Sequence, residues 1–232
     1  MNILTIRLRS LGRRLGIHRL VYNIRARLNP NRSYEDRCSK ALQDTILPGD
    51  VVWDIGANVG FYTGKFCDLV GPHGHVIAFE PNPQAAAQLE ARLGDCKWLS
   101  VERLALGERA EEGTFVIAPQ ITTGHLRYDS ETSATNDAQI PIKIVSGDEV
   151  CQRLGTRPNV LKIDVEGAEE DVLTGLIKTL EHPDLRAVMT EVHFQQLELR
   201  GQPDAPIRIE KLLRRMRFRL TWVDPNHLLA IR

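Results

Sequence analysis

Cysteine is scarce in this chain, and what there is does not cluster. The four, Cys38, Cys67, Cys96 and Cys151, lie far apart among 232 residues with no C-x-x-C pair. That pattern argues against a disulfide framework or a zinc ribbon and for reduced thiols in a cytosolic protein. Long apolar runs are missing as well. None exceeds four residues, against about 20 for a membrane-spanning helix, and no compact apolar segment of the secretory-leader kind occurs. Nor is there a net charge: Lys and Arg total 30, Asp and Glu total 30, which gives no overall bias toward nucleic acid. What remains is globular material. Hydrophobic residues make up 42% and charged residues 26%, which excludes disordered and collagen-like classes. At about 150 residues per domain, the length predicts one compact domain with a modest extension.

The balanced total conceals an asymmetry. Residues 1–37 hold nine arginines (Arg7, Arg9, Arg13, Arg14, Arg19, Arg25, Arg27, Arg32 and Arg37) against Glu35 and Asp36, a net of +7. The remainder carries 21 basic and 28 acidic residues, a net of −7. Leu4, Leu8, Leu11 and Leu15 recur at helical spacing, and Leu20, Ile24 and Leu28 roughly continue that face. The chain therefore divides into a basic amphipathic helical arm, 1–34, and a domain, 35–232. Three readings of the arm stay open. It could pack its leucines on the domain with the arginines solvated or paired, lie on an anionic membrane surface, or serve organelle targeting or partner binding.

From Asp50 onward strand and helix patterns alternate. Short apolar strands are expected at 51–55, 75–79, 97–103, 159–163 and 186–192, with helices at 58–70, 83–93, 168–180 and 207–216. Gly71-Pro72 closes the first helix, and Pro83 suits the first turn of the second. Additional strands are expected at 114–118 and 140–145, with a polar loop or hairpin over 121–139 that could fold over an acceptor. Residues 218–223 and 227–231, joined by Asp224-Pro225-Asn226, read as a closing antiparallel hairpin. Such alternation specifies an α/β fold with a mostly parallel sheet covered by helices on both faces.

Ligands of such sheets bind beyond the carboxyl ends of the strands, where the strand order reverses. Asp54-Ile55-Gly56-Ala57-Asn58-Val59-Gly60 stands at such an end. Gly56 permits a tight turn and close backbone approach, and Gly60 close packing of the following helix. Asp54 is placed to hold an ammonium or a hydroxyl. Glu80, twenty residues past Gly60 and at the end of the second strand, is placed to accept bonds from both ribose hydroxyls. A nucleoside with a cationic amino-acid tail fits this pair of carboxylates. NAD sites prefer G-x-G-x-x-G. Counted from Gly56, this chain has Asn58 and Phe61 at the second and third glycine positions, which disfavours a phosphate-bearing cofactor and favours S-adenosylmethionine.

Four stretches carry a family resemblance. They are residues 54–60, Phe79-Glu80-Pro81-Asn82, Leu161-Lys162-Ile163-Asp164-Val165-Glu166-Gly167-Ala168-Glu169, and Glu191-Val192-His193. Together they resemble the FkbM-type methyltransferases over roughly residues 35–225. The resemblance implies S-adenosylmethionine as cofactor, a Rossmann-like seven-stranded sheet, and methylation of hydroxyl oxygens, those of polyketides and sugars among them. It places Asp54, Gly56, Asn58 and Gly60 in the methionine-side cofactor loop, Glu80 at the ribose, and Ala105 with Leu106 and Gly107 along the adenine. Where the family often has Asn two residues before that alanine, this chain has Arg103. Asp148 matches an Asp common before the fourth strand and equally suits a helix N-cap.

Chemistry then has to come from the ends of the fourth and fifth strands. Methyl transfer is an in-line displacement at a sulfonium methyl, so alignment of the acceptor oxygen dominates. An alcohol also needs a positioned base to take its proton. Asp164, Glu191 and His193 are the candidates. His193, with an ordinary pKa of about 6.5, would be the base with Glu191 or Asp164 orienting it. Alternation along a strand would put Glu191 and His193 on one face. Alternatively, the same three residues would ligate a divalent cation that acidifies the acceptor. In the plainest reading Asp164 holds the cofactor's amino group, while Glu166 and Glu169 only favour a helix N-terminus. Lys162, facing opposite Ile163, is placed to pair with Asp54 or Glu191. The expected partner is a small-molecule or glycan hydroxyl acceptor, not nucleic acid, in the cytoplasm or peripherally at a membrane. Two alternatives remain: an N-methyltransferase on a similar fold, and a non-catalytic nucleoside-binding, membrane-associated protein.

Overall fold

The computed structural model describes residues 34–117, 124–127 and 138–232. The leucine–arginine arm up to residue 33 and most of the polar 121–139 segment lie outside the described residues. The described chain opens on helix α1 (Tyr34–Gln43) and continues through β1 (Val51–Ile55), α2 (Phe61–Val70), β2 (His75–Phe79), α3 (Pro83–Leu93) and β3 (Leu99–Glu102). Next come β4 (Ala105–Gly107), β5 (Glu111–Ile117), β6 (Gly124–Arg127), β7 (Ala138–Ser146) and α4 (Gly147–Leu154). Then follow β8 (Val160–Ile163), α5 (Glu169–Thr174), α6 (Ile177–Glu181), β9 (Ala187–Glu191), α7 (Phe194–Leu199) and α8 (Ala205–Arg215). The strands β10 (Arg219–Trp222) and β11 (His227–Ile231) close the chain.

Seven strands make the main sheet in the order β10-β11-β9-β8-β1-β2-β3. Its five central and right-hand strands run parallel, and the closing hairpin adds β11 antiparallel to β9. Side chains alternate along each strand, and here both sets are buried, which is why the strands read as near-continuous apolar runs. Trp53, Ile55, Ile77, Phe79, Leu161 and Ile163 face α4, α5, α6 and α8 through Val150, Leu173, Leu180 and Leu213. Val52, Val76, Val160 and Met189 face the other way, onto Leu42 of α1 and Phe66 and Val70 of α2. Helix α1 is thus part of the domain core.

Three local details differ from the sequence expectations. The second helix starts at Phe61 rather than residue 58, because Asn58 (φ 51°) and Gly60 (φ 82°) take left-handed backbone that no helix continues. The helix expected over 168–180 breaks into α5 and α6 at Gly175, where a Cβ would lie 1.9 Å from the Gly107 carbonyl oxygen. The strands near 114–118 and 140–145 form a sheet of their own, ordered β4-β7-β5-β6, in which β6 makes the polar segment partly a hairpin. Asp148 lies in the first turn of α4, which Ser146 and Glu149 cap. Its carboxylate instead accepts from the Lys178 and Thr179 N–H groups at 2.8 and 2.9 Å, at the start of α6.

Candidate active site

The chain builds outward from β1 on both sides, first to β2 and β3 and later to β8 and β9. The crevice lies at that reversal, between the loops after β1 and β8. Gly56 (φ 79°) lets the two loops touch: a Cβ there would be 1.8 Å from the Asp164 carbonyl oxygen. Gly60 lies against Leu89 and Leu93 of α3, where a Cβ would come within 2.9 Å of Leu89. A pocket open to solvent lies between these loops. Gly56, Asn58, Glu80, Ala105 and Asp164 line it, with Ile55, Phe79, Leu104, Leu106 and Phe115 as apolar wall. Phe115 comes from the second sheet.

Glu80 is held firmly. Its Oε2 accepts from Asn58 N–H at 2.7 Å and its Oε1 from Asn82 N–H at 2.8 Å. Burial pushes its carboxyl above the ordinary range, while these two N–H groups and Lys162 pull the other way. Each oxygen keeps a lone pair for a further donor. A carboxylate so fixed on an apolar pocket's wall fits a ribose diol, and the wall fits an adenine, so the residues present suit S-adenosylmethionine.

Asp54 and Gly60 do not line the pocket. The Asp54 side chain has no exposed surface: Thr63 Oγ1 donates to Oδ2 at 2.7 Å, and Lys162 Nζ lies 3.1 Å from Oδ1. Lys162 also lies 3.3 Å from Asp164 Oδ2 and donates to the Gly56 carbonyl at 3.1 Å. Burial opposes charge on Lys162, but the Asp54 and Asp164 carboxylates outweigh it and raise its pKa. Burial likewise works against a charged Asp164, and Lys162 and His193 overcome it, lowering its pKa. The ammonium-holding role expected of Asp54 is therefore filled inside the protein, by Lys162.

Beyond Asp164 a cluster gathers at the carboxyl ends of β8 and β9. His193 Nε2 lies 3.3 Å from Glu166 Oε2, 3.7 Å from Asp164 Oδ1 and 3.9 Å from Glu191 Oε1. Its Nδ1 lies 2.7 Å from Oε1 of Glu169, a residue with no exposed surface. Glu169 Oε1 also accepts from Gly167 N–H at 2.8 Å. Glu191 and His193 meet, but not by strand alternation, since β9 ends at Glu191 and His193 caps α7. Burial alone would lower the His193 pKa. The bond to Glu169 and the Asp164 and Glu166 carboxylates instead push it up to about 10. A ring that is cationic at neutral pH is not the free base expected from its ordinary pKa.

A second imidazole grips Glu191 from the other side. His227 Nε2 lies 3.2 Å from Glu191 Oε2, and its Nδ1 lies 2.8 Å from Asp224 Oδ2. Cys38 Sγ donates to the same Asp224 oxygen at 2.5 Å. Among the described residues two groups have donors close enough to share a metal ion: Asp164, Glu191 and His193, and Cys38, Asp224 and His227. In the second group the donors are already bonded to one another.

Residues 54–220 match the family model of the methyltransferase FkbM domain. The chain belongs to that family. It is 32% identical over 146 residues to the hexuronic acid methyltransferase AglP of Haloferax volcanii, a match covering 62% of this chain and 56% of that protein. It is 30% identical over 188 residues to the 31-O-demethyl-FK506 methyltransferase FkbM of Streptomyces tacrolimicus, covering 69% and 72% respectively. The 2-O-methyltransferase NoeI of Sinorhizobium fredii is 27% identical over 165 residues, covering 65% and 66%. Among solved structures, one assigned as an rRNA methylase of Clostridium thermocellum superposes with a TM-score of 0.55 at 12% identity, over 86% of this chain and 94% of the other. Aeropyrum pernix fibrillarin with bound S-adenosylmethionine gives 0.50 at 13% identity, over 80% and 67%. These two likenesses concern the fold.

Within the FkbM domain, this chain's Arg103 is turned to Glu90 on α3, with Nη2 2.5 Å from Oε2, and does not line the pocket. Sequence reasoning missed Glu169 and Glu166 as neighbours of His193, because both read as acidic residues that favour a helix start. Glu166 carried a usable hint, since the following Gly167 (φ 103°) marks a turn and Glu166 itself takes φ 52°. His227, Asp224 and Cys38 left no local signal, as their meeting depends on how β11 and α1 dock. No helix among the described residues is long and apolar enough to cross a membrane.

Proposed function

We propose that this FkbM-family chain transfers the methyl group of S-adenosylmethionine to a hydroxyl oxygen, on a sugar or glycan or on a polyketide-type small molecule. The observation that carries the reading is Glu80, pinned by two N–H groups in a pocket that also contains Asp164. When bound, the cofactor supplies an electrophilic methyl carbon on a sulfonium. This chain's residues bind and align. Glu80 accepts from the ribose, the wall from Ile55 to Phe115 takes the base, and Asp164, Glu191 and His193 hold the acceptor hydroxyl. Alignment of the acceptor is the largest single contribution. Because His193 already carries both ring protons at neutral pH, the hydroxyl proton passes to a carboxylate of the cluster, Asp164 or Glu191. The imidazolium stabilises the charge that builds on oxygen.

Carboxylates around the opening repel phosphate groups, which favours a small-molecule or glycan acceptor over nucleic acid. The names of FkbM and NoeI support methylation at oxygen, and that of AglP supports a hexuronic acid as acceptor. Incubation with methyl-tritiated S-adenosylmethionine and a panel of methyl glycosides, uronic acids and amino sugars included, tests the reading. Label in an ether-linked product, lost in His193→Ala, supports it, and label on amine acceptors alone refutes it. The arm over 1–34 would bring the enzyme to an anionic membrane. Equal sedimentation of the full chain and residues 35–232 with anionic liposomes would refute that.

A further inference from the structure

At the carboxyl ends of β8 and β9, His193 Nε2 faces carboxylate oxygens of Glu166, Asp164 and Glu191 at 3.3, 3.7 and 3.9 Å. An N–H···O bond spans about 2.7–3.2 Å, so these groups stand slightly too far apart to bond to one another. Two ligands about 2.1 Å from a cation lie about 3.0 Å apart when cis on an octahedron and about 3.4 Å apart on a tetrahedron. The donors of Asp164, Glu191 and His193 all lie within 4.8 Å of one another, so a small inward movement would let them share an ion. The buried carboxylate behind the ring is an independent observation. Glu169 has no exposed surface, its Oε1 holds Nδ1 at 2.7 Å, and its Oε2 has no hydrogen-bond partner among the described residues. A carboxylate behind a histidine is how metal-ligating imidazoles are oriented.

The geometry points to a divalent-cation site with Asp164, Glu191 and His193 Nε2 as ligands, Glu166 at its rim and Glu169 as the outer partner. A donor set of one imidazole and hard carboxylate oxygens suits Mn²⁺ or Mg²⁺ rather than a thiolate-seeking ion. On binding, Nε2 gives its proton to solvent and its lone pair to the ion. The ion then replaces that proton as the positive charge facing the acceptor oxygen. This role rests on the methyltransferase reading, but the site itself is tested separately.

The test is titration of the full chain, stripped of metal, with MnCl₂, following the electron paramagnetic resonance of free Mn²⁺. One ion per chain, displaced by excess Mg²⁺, is expected. His193→Ala and Glu191→Gln should each weaken binding at least about tenfold, and Glu169→Gln about 10–100-fold as for other outer partners. Glu102→Gln, on the surface, should bind like the original. If His193→Ala fails to fold by circular dichroism, Glu191→Gln decides. No depletion of free Mn²⁺ at millimolar concentration, or equal binding by all variants, overturns the site. S-Adenosylhomocysteine, titrated in parallel, separates the two readings: its binding without Mn²⁺ binding overturns the cation site alone, and Mn²⁺ binding without it overturns the enzyme reading alone.

Discussion

Replacing Lys162 by Met removes an ammonium that two carboxylates share. Nζ lies 3.1 Å from Asp54 Oδ1 and 3.3 Å from Asp164 Oδ2, with the lysine side chain 7% exposed and that of Asp54 0%. Removing one partner of a buried pair costs about 3–5 kcal/mol, because the other charge stays buried. Loss of the bond to the Gly56 carbonyl adds about 1 kcal/mol. Urea unfolding followed by circular dichroism reads the sum. With a slope of about 2–3 kcal/mol/M for a domain of this size, a loss of about 4–6 kcal/mol lowers the midpoint by about 2 M. Adding Asp54→Asn should restore at least about 1.5 kcal/mol, since the orphaned charge goes and the amide oxygen still accepts from Thr63. A midpoint shift under about 0.3 M, or a double variant as unstable as the sum of the singles, would refute the reasoning.

Glu80→Gln has one carboxamide oxygen for two backbone N–H groups and a ribose, so S-adenosylhomocysteine should bind about 30-fold or more weakly by calorimetry; a change under threefold contradicts its ribose role. Gly56→Ala forces a Cβ to within 1.8 Å of the Asp164 carbonyl at φ 79°, so the loops must part. A loss of about 3 kcal/mol or more and of cofactor binding is expected, and an unchanged urea midpoint would show that the two loops do not touch. His193 and His227 have folded pKa values of about 10 and about 12, above the ordinary 6.5. Their stabilisation is therefore full below pH 6.5 and drains away as pH rises toward those values. The urea midpoint should fall from pH 6.5 to 9, less steeply in His227→Gln, and a flat or rising profile contradicts the two ion-paired rings.

The main sheet was legible because strands buried on both faces appear as short apolar runs, and β1, β2, β8 and β9 each end in a polar or glycine-rich loop at the crevice. The place of Glu80 on the pocket wall was legible because the residue directly follows β2, beside the loop after β1. The second sheet was not, since nothing in residues 105–146 says which strands pair. For Asp54, strand position showed that it is near the crevice and made Lys162 one of two possible pairings, Asp54 or Glu191; the register beside β8, Asp54 opposite Lys162, selects Asp54. Glu169 and His193 stand 24 positions apart and meet only once α5 and α7 pack.

The central claim is that the pocket between Gly56, Glu80 and Asp164 takes a nucleoside with an amino-acid tail and no phosphate. Calorimetric titration of the full chain with S-adenosylhomocysteine, in parallel with NADH, tests it most directly. Micromolar binding of S-adenosylhomocysteine at one site per chain, with no heat from NADH, is the predicted result. Binding of NADH, or of neither, would contradict the account.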